Sequence, residues 1–145
     1  MFANPVNEIE KLYDSIKSYK NIHSQPGEDL LEGFNKGAYD ISMSVASYSK
    51  GNILFEANGR EINFNLDRRM ITSGDLEIYY QSKDAEMNFR LLVDKKSIEV
   101  YLNDGEIYIP LKIDGKIESE SISLTSDTLV HVQELKIRIL RSIWN

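Results

Sequence analysis

The sequence predicts an all-β protein, a two-sheet antiparallel β-sandwich preceded by one short N-terminal helix. Three observations predict it. Beyond residue 38 the apolar side chains recur at every second position. Each run ends in Gly, Asn, Asp or Ser, the residues of tight turns. The alternation gives every strand one wet and one dry face, which suits antiparallel sheets packed together on one side. A closed barrel shares this alternation and stays open as the alternative.

The elements follow in order. Asn4-Pro5 reads as an N-cap with proline at the first helical position. Val6, Ile9, Leu12, Tyr13 and Ile16 then recur at helical spacing, so residues 1–22 are assigned to a linker with one short helix. Residues 23–145 are assigned to the sandwich. Ser24 to Asp29 is a turn cluster. Tyr39, Ile41, Met43 and Val45 alternate with polar or small partners. Ile53 to Glu56 leads to Asn58-Gly59, a strong hairpin signal. Ile62, Phe64 and Leu66 form the return strand, and Leu76, Ile78 and Tyr80 follow the turn at Ser73-Gly74-Asp75. Phe89, Leu91 and Val93 share one face, as do Ile98, Val100 and Leu102 after Asp94-Lys95-Lys96. Ile107 to Ile113 and Ile122 to Leu124 are two more strands. The last runs from Val130 to Ile139, with a slip in its alternation at Gln133-Glu134. A one-residue slip turns every later side chain over, so a bulge is expected there. The total is nine or ten strands.

A chain of 145 residues suits one domain that buries roughly 70% of its unfolded surface without a staple. The net charge of −6 comes from 17 basic and 23 acidic residues. That balance argues against nucleic acid and anionic membrane as partners, since both need a concentrated basic surface. With no cysteine, thiolate metal sites and cysteine nucleophiles are excluded. No segment approaches the ~20 apolar residues of a membrane-spanning helix. Met1 to Pro5 leads into polar sequence with no leader-like apolar run, an opening that fits a piece excised from a longer protein. Localisation would follow that parent.

Chemistry-bearing motifs are sparse. The glycines are scattered at strand ends and form no phosphate loop. His23 and His131 are far apart in sequence and share no metal-ligand spacing, so no metal and no cofactor is expected. The acids at Asp67, Asp94 and Glu99 lie on separate strands or turns. Nothing local sets two of them across a cleft as glycoside hydrolysis requires.

One stretch is specific. Val93-Asp94-Lys95-Lys96-Ser97-Ile98-Glu99-Val100-Tyr101-Leu102-Asn103-Asp104-Gly105-Glu106 resembles the signature of the C-terminal β-sandwich of glycoside hydrolase family 32, which includes levanases, inulinases and invertases. Lys96 stands where that pattern carries serine, and Lys95 and Tyr101 are milder variants. Asn4 to Leu12 is similar to the family's linker between catalytic propeller and sandwich, and Leu140 to Trp144 to its usual chain end. The resemblance implies a concanavalin/laminin-G-like sandwich. It places the catalytic residues on a propeller ahead of this domain, in Asn-Asp-Pro, Arg-Asp-Pro and Glu-Cys motifs. This chain has no cysteine, and its prolines follow Asn4, Gln25 and Ile109, so none of those motifs carries over.

The resemblance thus implies a non-catalytic accessory domain that packs against the propeller of a β-fructosidase, with Val6, Ile9, Tyr13 and Trp144 at the interface. The alternative is a fructan-binding module recognising terminal fructose. Its candidate residues are Asp67, Arg68, Tyr79, Arg90, Asp94, Glu99 and Tyr101, with Tyr80 and Tyr108 as further aromatics, because a sugar needs an aromatic wall beside charged and amide groups. A third reading is a homo-oligomerisation domain.

Overall fold

Alternation of apolar and polar residues builds eleven strands among the described residues of the computed structural model, which are 13–34, 38–46, 48–80, 86–94, 96–103, 107–113 and 122–140. They are β1 (Tyr13–Ser24), β2 (Ala38–Ala46), β3 (Asn52–Ala57), β4 (Arg60–Asn65), β5 (Met70–Ser73), β6 (Leu76–Tyr79), β7 (Glu86–Val93), β8 (Ser97–Leu102), β9 (Ile107–Lys112), β10 (Ile122–Ser126) and β11 (Val130–Leu140). Two antiparallel sheets result. Sheet A has six strands in the order β1-β11-β2-β7-β8-β9, and sheet B has five in the order β10-β3-β4-β5-β6. Their inner faces share one apolar cluster, with Ile41, Leu91, Ile98 and Ile137 from sheet A against Phe55, Ile62, Phe64 and Leu124 from sheet B. The chain is therefore the expected sandwich and not a single closed barrel.

Local chemistry sets the turns. Asn58 and Gly59 both have positive φ, 51° and 88°, as a two-residue hairpin between right-twisted strands demands. Asp94 closes the β7–β8 hairpin by accepting from the backbone N–H of Lys96 and of Ser97, both at 2.7 Å. Pro110 sits on β9, an edge strand, where its missing N–H costs no ladder bond. The loop after β1 crosses to sheet B. Gly27 N–H donates to the Ser126 carbonyl and Leu30 N–H to that of Leu124, both at 2.9 Å, and Leu31 seals the core with no exposed surface.

The expected bulge in β11 is present. Val132 pairs with Val45 and Glu134 with Ser44, so Gln133 is the extra residue. The slip keeps Val130 and Val132 on one side of it, and Leu135 and Ile137 on the other, all facing the core.

The N-terminal helix is corrected where it can be seen. Tyr13 and Ile16, expected on the helical stripe, lie on β1, paired with β11 from Tyr13↔Leu140 to Ser24↔Val130. The sheet therefore begins inside the segment assigned to the linker. Tyr, Ser and Ile are mediocre helix formers, and a short helix is marginal alone. The free edge of β11 offers that segment a full ladder of backbone hydrogen bonds instead. Val6, Ile9 and Leu12 lie outside the described residues, as does Trp144. β5 is the other strand beyond those expected; four residues are too few to show a period.

Candidate functional site

The outward face of sheet A carries a continuous polar surface, built by strand register. One cross-strand row runs Lys136–Ser42–Arg90–Tyr101–Tyr108 through β11, β2, β7, β8 and β9. The next runs Arg138–Asp40–Leu92–Glu99–Pro110. Each row spans four strand spacings, about 19 Å.

Asp40 is the centre of the first cluster. It has no exposed surface, although it sits in the outward phase of β2. Arg90 covers it, with Nε donating to Oδ1 at 2.9 Å and Nη2 to Oδ2 at 2.5 Å. Arg138 approaches Oδ1 at 3.8 Å and donates from Nη1 to the Ser42 hydroxyl at 3.1 Å. A carboxylate can leave water in this way only when charge and hydrogen bonds replace its hydration. Beside it, the Ser44 hydroxyl donates to Asn88 Oδ1 at 2.7 Å.

Glu99 is the centre of the second. Its two carboxylate oxygens accept from two tyrosines, Tyr108 Oη at 3.0 Å and Tyr101 Oη at 3.3 Å. The two rings pack at 5.0 Å with a tilt of 34°. Burial, then the charge of Glu99, pushes the Tyr101 hydroxyl up to about 12, and the same two influences with the Glu99 hydrogen bond raise Tyr108. Both hydroxyls therefore stay protonated donors across the neutral range. Tyr101 is nearly buried while Tyr108 is 42% exposed, so the pair presents one aromatic face to solvent.

Of the residues singled out from the sequence, Arg90, Glu99 and Tyr101 meet here. The others do not join them. Asp94 serves its hairpin. Asp67 lies in the β4–β5 turn and accepts from Gly51 N–H at 3.0 Å. Arg68 is in the same turn, and Tyr79 is exposed on β6, an edge of sheet B. Tyr80 is a core residue, 4% exposed, pushed up to about 12 by burial against the opposing influence of Arg69. Sequence reasoning missed Asp40, Arg138, Ser42 and Asn88. Their only local signal is the outward phase of β2, β7 and β11; what unites them is pairing between segments about a hundred residues apart in the case of Ser42 and Arg138, 96 positions.

A second corner joins the two histidines. His23 and His131 are register partners across β1 and β11, and their rings stack at 4.6 Å with a 3° tilt. Tyr48 Oη bonds His131 Nδ1, and Ser49 Oγ accepts from the His131 backbone N–H at 3.1 Å. Among the described residues, no group of three or more His, Asp or Glu side chains is placed to hold a metal ion.

As chemistry, the sheet A face suits recognition. Asp40 is enclosed and cannot touch a substrate, and both oxygens of Glu99 are engaged. It brings guanidinium groups, an aromatic face, hydroxyls and an amide together, the chemical groups found at polar interfaces and sugar sites.

Residues 8–138 match the family described as glycosyl hydrolases family 32 C terminal. The chain is 26% identical to a levanase of Bacillus sp. (strain L7) over 99% of its own length, and covers 18% of that protein. It is 25% identical to a levanase of Bacillus subtilis (strain 168) over 97% of its length, covering 24% of it. The chain thus spans a quarter or less of these relatives. In fold it is similar to part of the sucrose-6-phosphate hydrolase from Lactobacillus gasseri, with a TM-score of 0.72 and 15% identity over 99% of this chain and 31% of that one. It is likewise similar to part of the β-fructofuranosidase from Schwanniomyces occidentalis, with a TM-score of 0.70 and 17% identity over 90% of this chain and 34% of that one.

Proposed function

The chain belongs to the family of C-terminal domains of family 32 glycosyl hydrolases, and on that premise we propose that it is the non-catalytic accessory sandwich of a β-fructosidase, packing against and stabilising the catalytic propeller. One observation carries the reading: a C-terminal-domain family spans residues 8–138, while the chain covers only 18% and 24% of two levanases. The site supports it, because its acids are committed to holding arginines and tyrosines. The pairing of Tyr13 with Leu140 brings the start of β1 and the end of β11 to one corner of sheet A. In this proposal Val6, Ile9, Tyr13 and Trp144 belong to the interface with the propeller.

The test is to incubate the purified chain with levan, inulin and sucrose and assay released fructose. No turnover is expected; measurable turnover would sink the reading. Adding the chain to a family 32 catalytic domain stripped of its own sandwich should raise that domain's melting temperature.

A second reading is favoured by one specific observation, the convergence of Arg90, Glu99 and Tyr101 beside exposed Tyr108. In it this face binds terminal fructose of a fructan. Calorimetry with levan and the Tyr108→Ala variant addresses it: the wild-type chain should give heat that the variant loses, and no heat from either would remove it.

A further inference from the structure

The two outward faces of the sandwich differ in chemistry. Sheet A carries arginine and lysine beside acids. No outward-facing strand position of sheet B carries Lys or Arg; its charges are Glu56, Glu61 and Glu77, and most of the rest are amides and hydroxyls. A shallow cleft of about 360 Å³ lies there, across β10, β3 and β4. Its floor is Leu54, the middle of the cross-strand row Thr125–Leu54–Asn63. Thr125 and Asn63 stand as walls two strand spacings apart, about 10 Å.

One wall is oriented by a relay. Asp127 Oδ1 accepts from the Asn52 backbone N–H at 2.7 Å, and Oδ2 accepts from Asn52 Nδ2 at 2.8 Å. Those two bonds hold the Asp127 carboxyl below its usual range, so it is ionised and can only accept. Asn52 must therefore turn its amide nitrogen to Asp127, leaving its carbonyl oxygen to accept from Asn63 Nδ2 at 2.9 Å. Asn63 in turn keeps its carbonyl oxygen and one N–H, an acceptor and a donor on a single plane. Two neighbouring hydroxyls of a sugar ring match that pair, since each hydroxyl both donates and accepts. The apolar C–H face of such a ring matches Leu54. The acidic surroundings repel phosphate, sulfate and uronate groups.

We propose that this groove on sheet B binds a neutral polyhydroxylated ligand, one ring of a sugar chain lying on Leu54 between Asn63 and Thr125. The site uses none of the residues of the sheet A face and stands independently of either functional reading above.

The experiment is a titration of the ¹⁵N-labelled full chain, followed by amide chemical shifts, with nystose as a neutral fructo-oligosaccharide, maltotetraose as a neutral glucan and trigalacturonate as an anionic one. At least one neutral sugar should move the Asn63 side-chain amide and the backbone amides of Leu54, Asn63 and Thr125. Asn63→Ala and Leu54→Ser, both at outward positions and checked for fold by the same spectrum, should each weaken that binding tenfold or more. In Tyr108→Ala the shifts at Leu54, Asn63 and Thr125 should follow the wild-type titration whatever happens on the sheet A face, which separates the two sites. Shifts confined to the sheet A face, no shift with either neutral sugar, unaltered binding in both groove variants, or equal binding of trigalacturonate would each overturn the proposal.

Discussion

Arg90 donates two hydrogen bonds to the two carboxylate oxygens of Asp40, and the carboxylate beneath it has no exposed surface. This two-point grip decides what substitution does. Arg90→Ala takes the two-point grip from a buried carboxylate and leaves Arg138 3.8 Å away. Breaking a fully buried pair costs roughly 3–5 kcal/mol. Here Arg138 remains and water reaches the vacated space, so the expected loss is about 2–3 kcal/mol. In urea denaturation that is a fall of about 1–2 M in midpoint. Arg90→Lys should lie between, because an ammonium cannot grip both oxygens in one plane. An Arg90→Ala midpoint equal to that of the wild type would show that the pair is incidental.

The Glu99 cluster makes stability depend on alkaline pH. The Tyr101 hydroxyl is raised from 10 to about 12, so the folded chain holds its proton more tightly than the unfolded chain does. A folded-state pKa above the unfolded value contributes stability that is complete below pH 10 and is lost as pH rises through about 12. Glu99→Gln removes the charge that acts after burial. Tyr101 and Tyr108 should then titrate at lower pH, with burial still holding them up, and the alkaline loss of stability should be shallower. Tyr80, raised by burial far from Glu99, should titrate as before and serves as the internal control. Tyrosinate absorbance against pH, paired with urea midpoints, reads both effects. An unchanged titration in Glu99→Gln would mean that Glu99 does not engage the rings.

What the sequence made legible was whatever repeats within one strand. The outward phase of β7 and β8 put Arg90, Glu99 and Tyr101 on one face, and local alternation was enough to see it. Asp40 and Arg138 were not visible as partners. Their meeting depends on β2 lying between β7 and β11, a choice of neighbours made by the whole fold. The stacking of His23 on His131 has the same origin. Tyr13 and Ile16 misled in the opposite sense. Their spacing fits a helix, and Ile16 is 56% exposed on β1, so no apolar alternation announces that strand. Backbone pairing with β11 outweighed the local pattern.

The slip in β11 separates two deletions of single polar residues. Removing Gln133 takes out the extra residue between Val132 and Glu134, and leaves Leu135 and Ile137 facing the core in unchanged pairing with β2. The domain should stay folded, with loosening confined to the β1 pairing near Asn21, itself at a φ of 54°. Removing Lys136 instead shifts every later residue by one. Ile137 turns out to solvent and Arg138 turns into the core. Losing buried isoleucine and burying arginine together should cost about 5 kcal/mol or more, most of the stability of an ordinary domain. Soluble yield and amide spectral dispersion of the two deletions check this. Equal tolerance of both would refute the phase argument.

Gly51 ties backbone geometry to the sheet B groove. Its φ is 92°, and a Cβ there would lie 2.5 Å from Thr128 Oγ1 and 2.6 Å from Asp127 Oδ1. Gly51→Ala therefore meets two penalties, left-handed strain of roughly 1–2 kcal/mol and an overlap of roughly 1–3 kcal/mol. Gly59 has a similar φ of 88° but nothing within 4 Å of such a Cβ, so Gly59→Ala should show the strain alone. The difference between their urea midpoints isolates the overlap. It has a second consequence, because the side chains displaced include Asp127, the carboxylate that orients Asn52. With those bonds lengthened, the Asp127 carboxyl should titrate closer to its ordinary value. A depressed folded-state pKa gives stability that is present above the unfolded value and lost as pH falls through the folded one, so Gly51→Ala should lose less on acidification than the wild type does. A carboxyl carbon shift titration of Asp127 in both chains measures this directly. Identical curves would mean that the alanine is accommodated by Thr128 alone, leaving the relay to Asn63 intact.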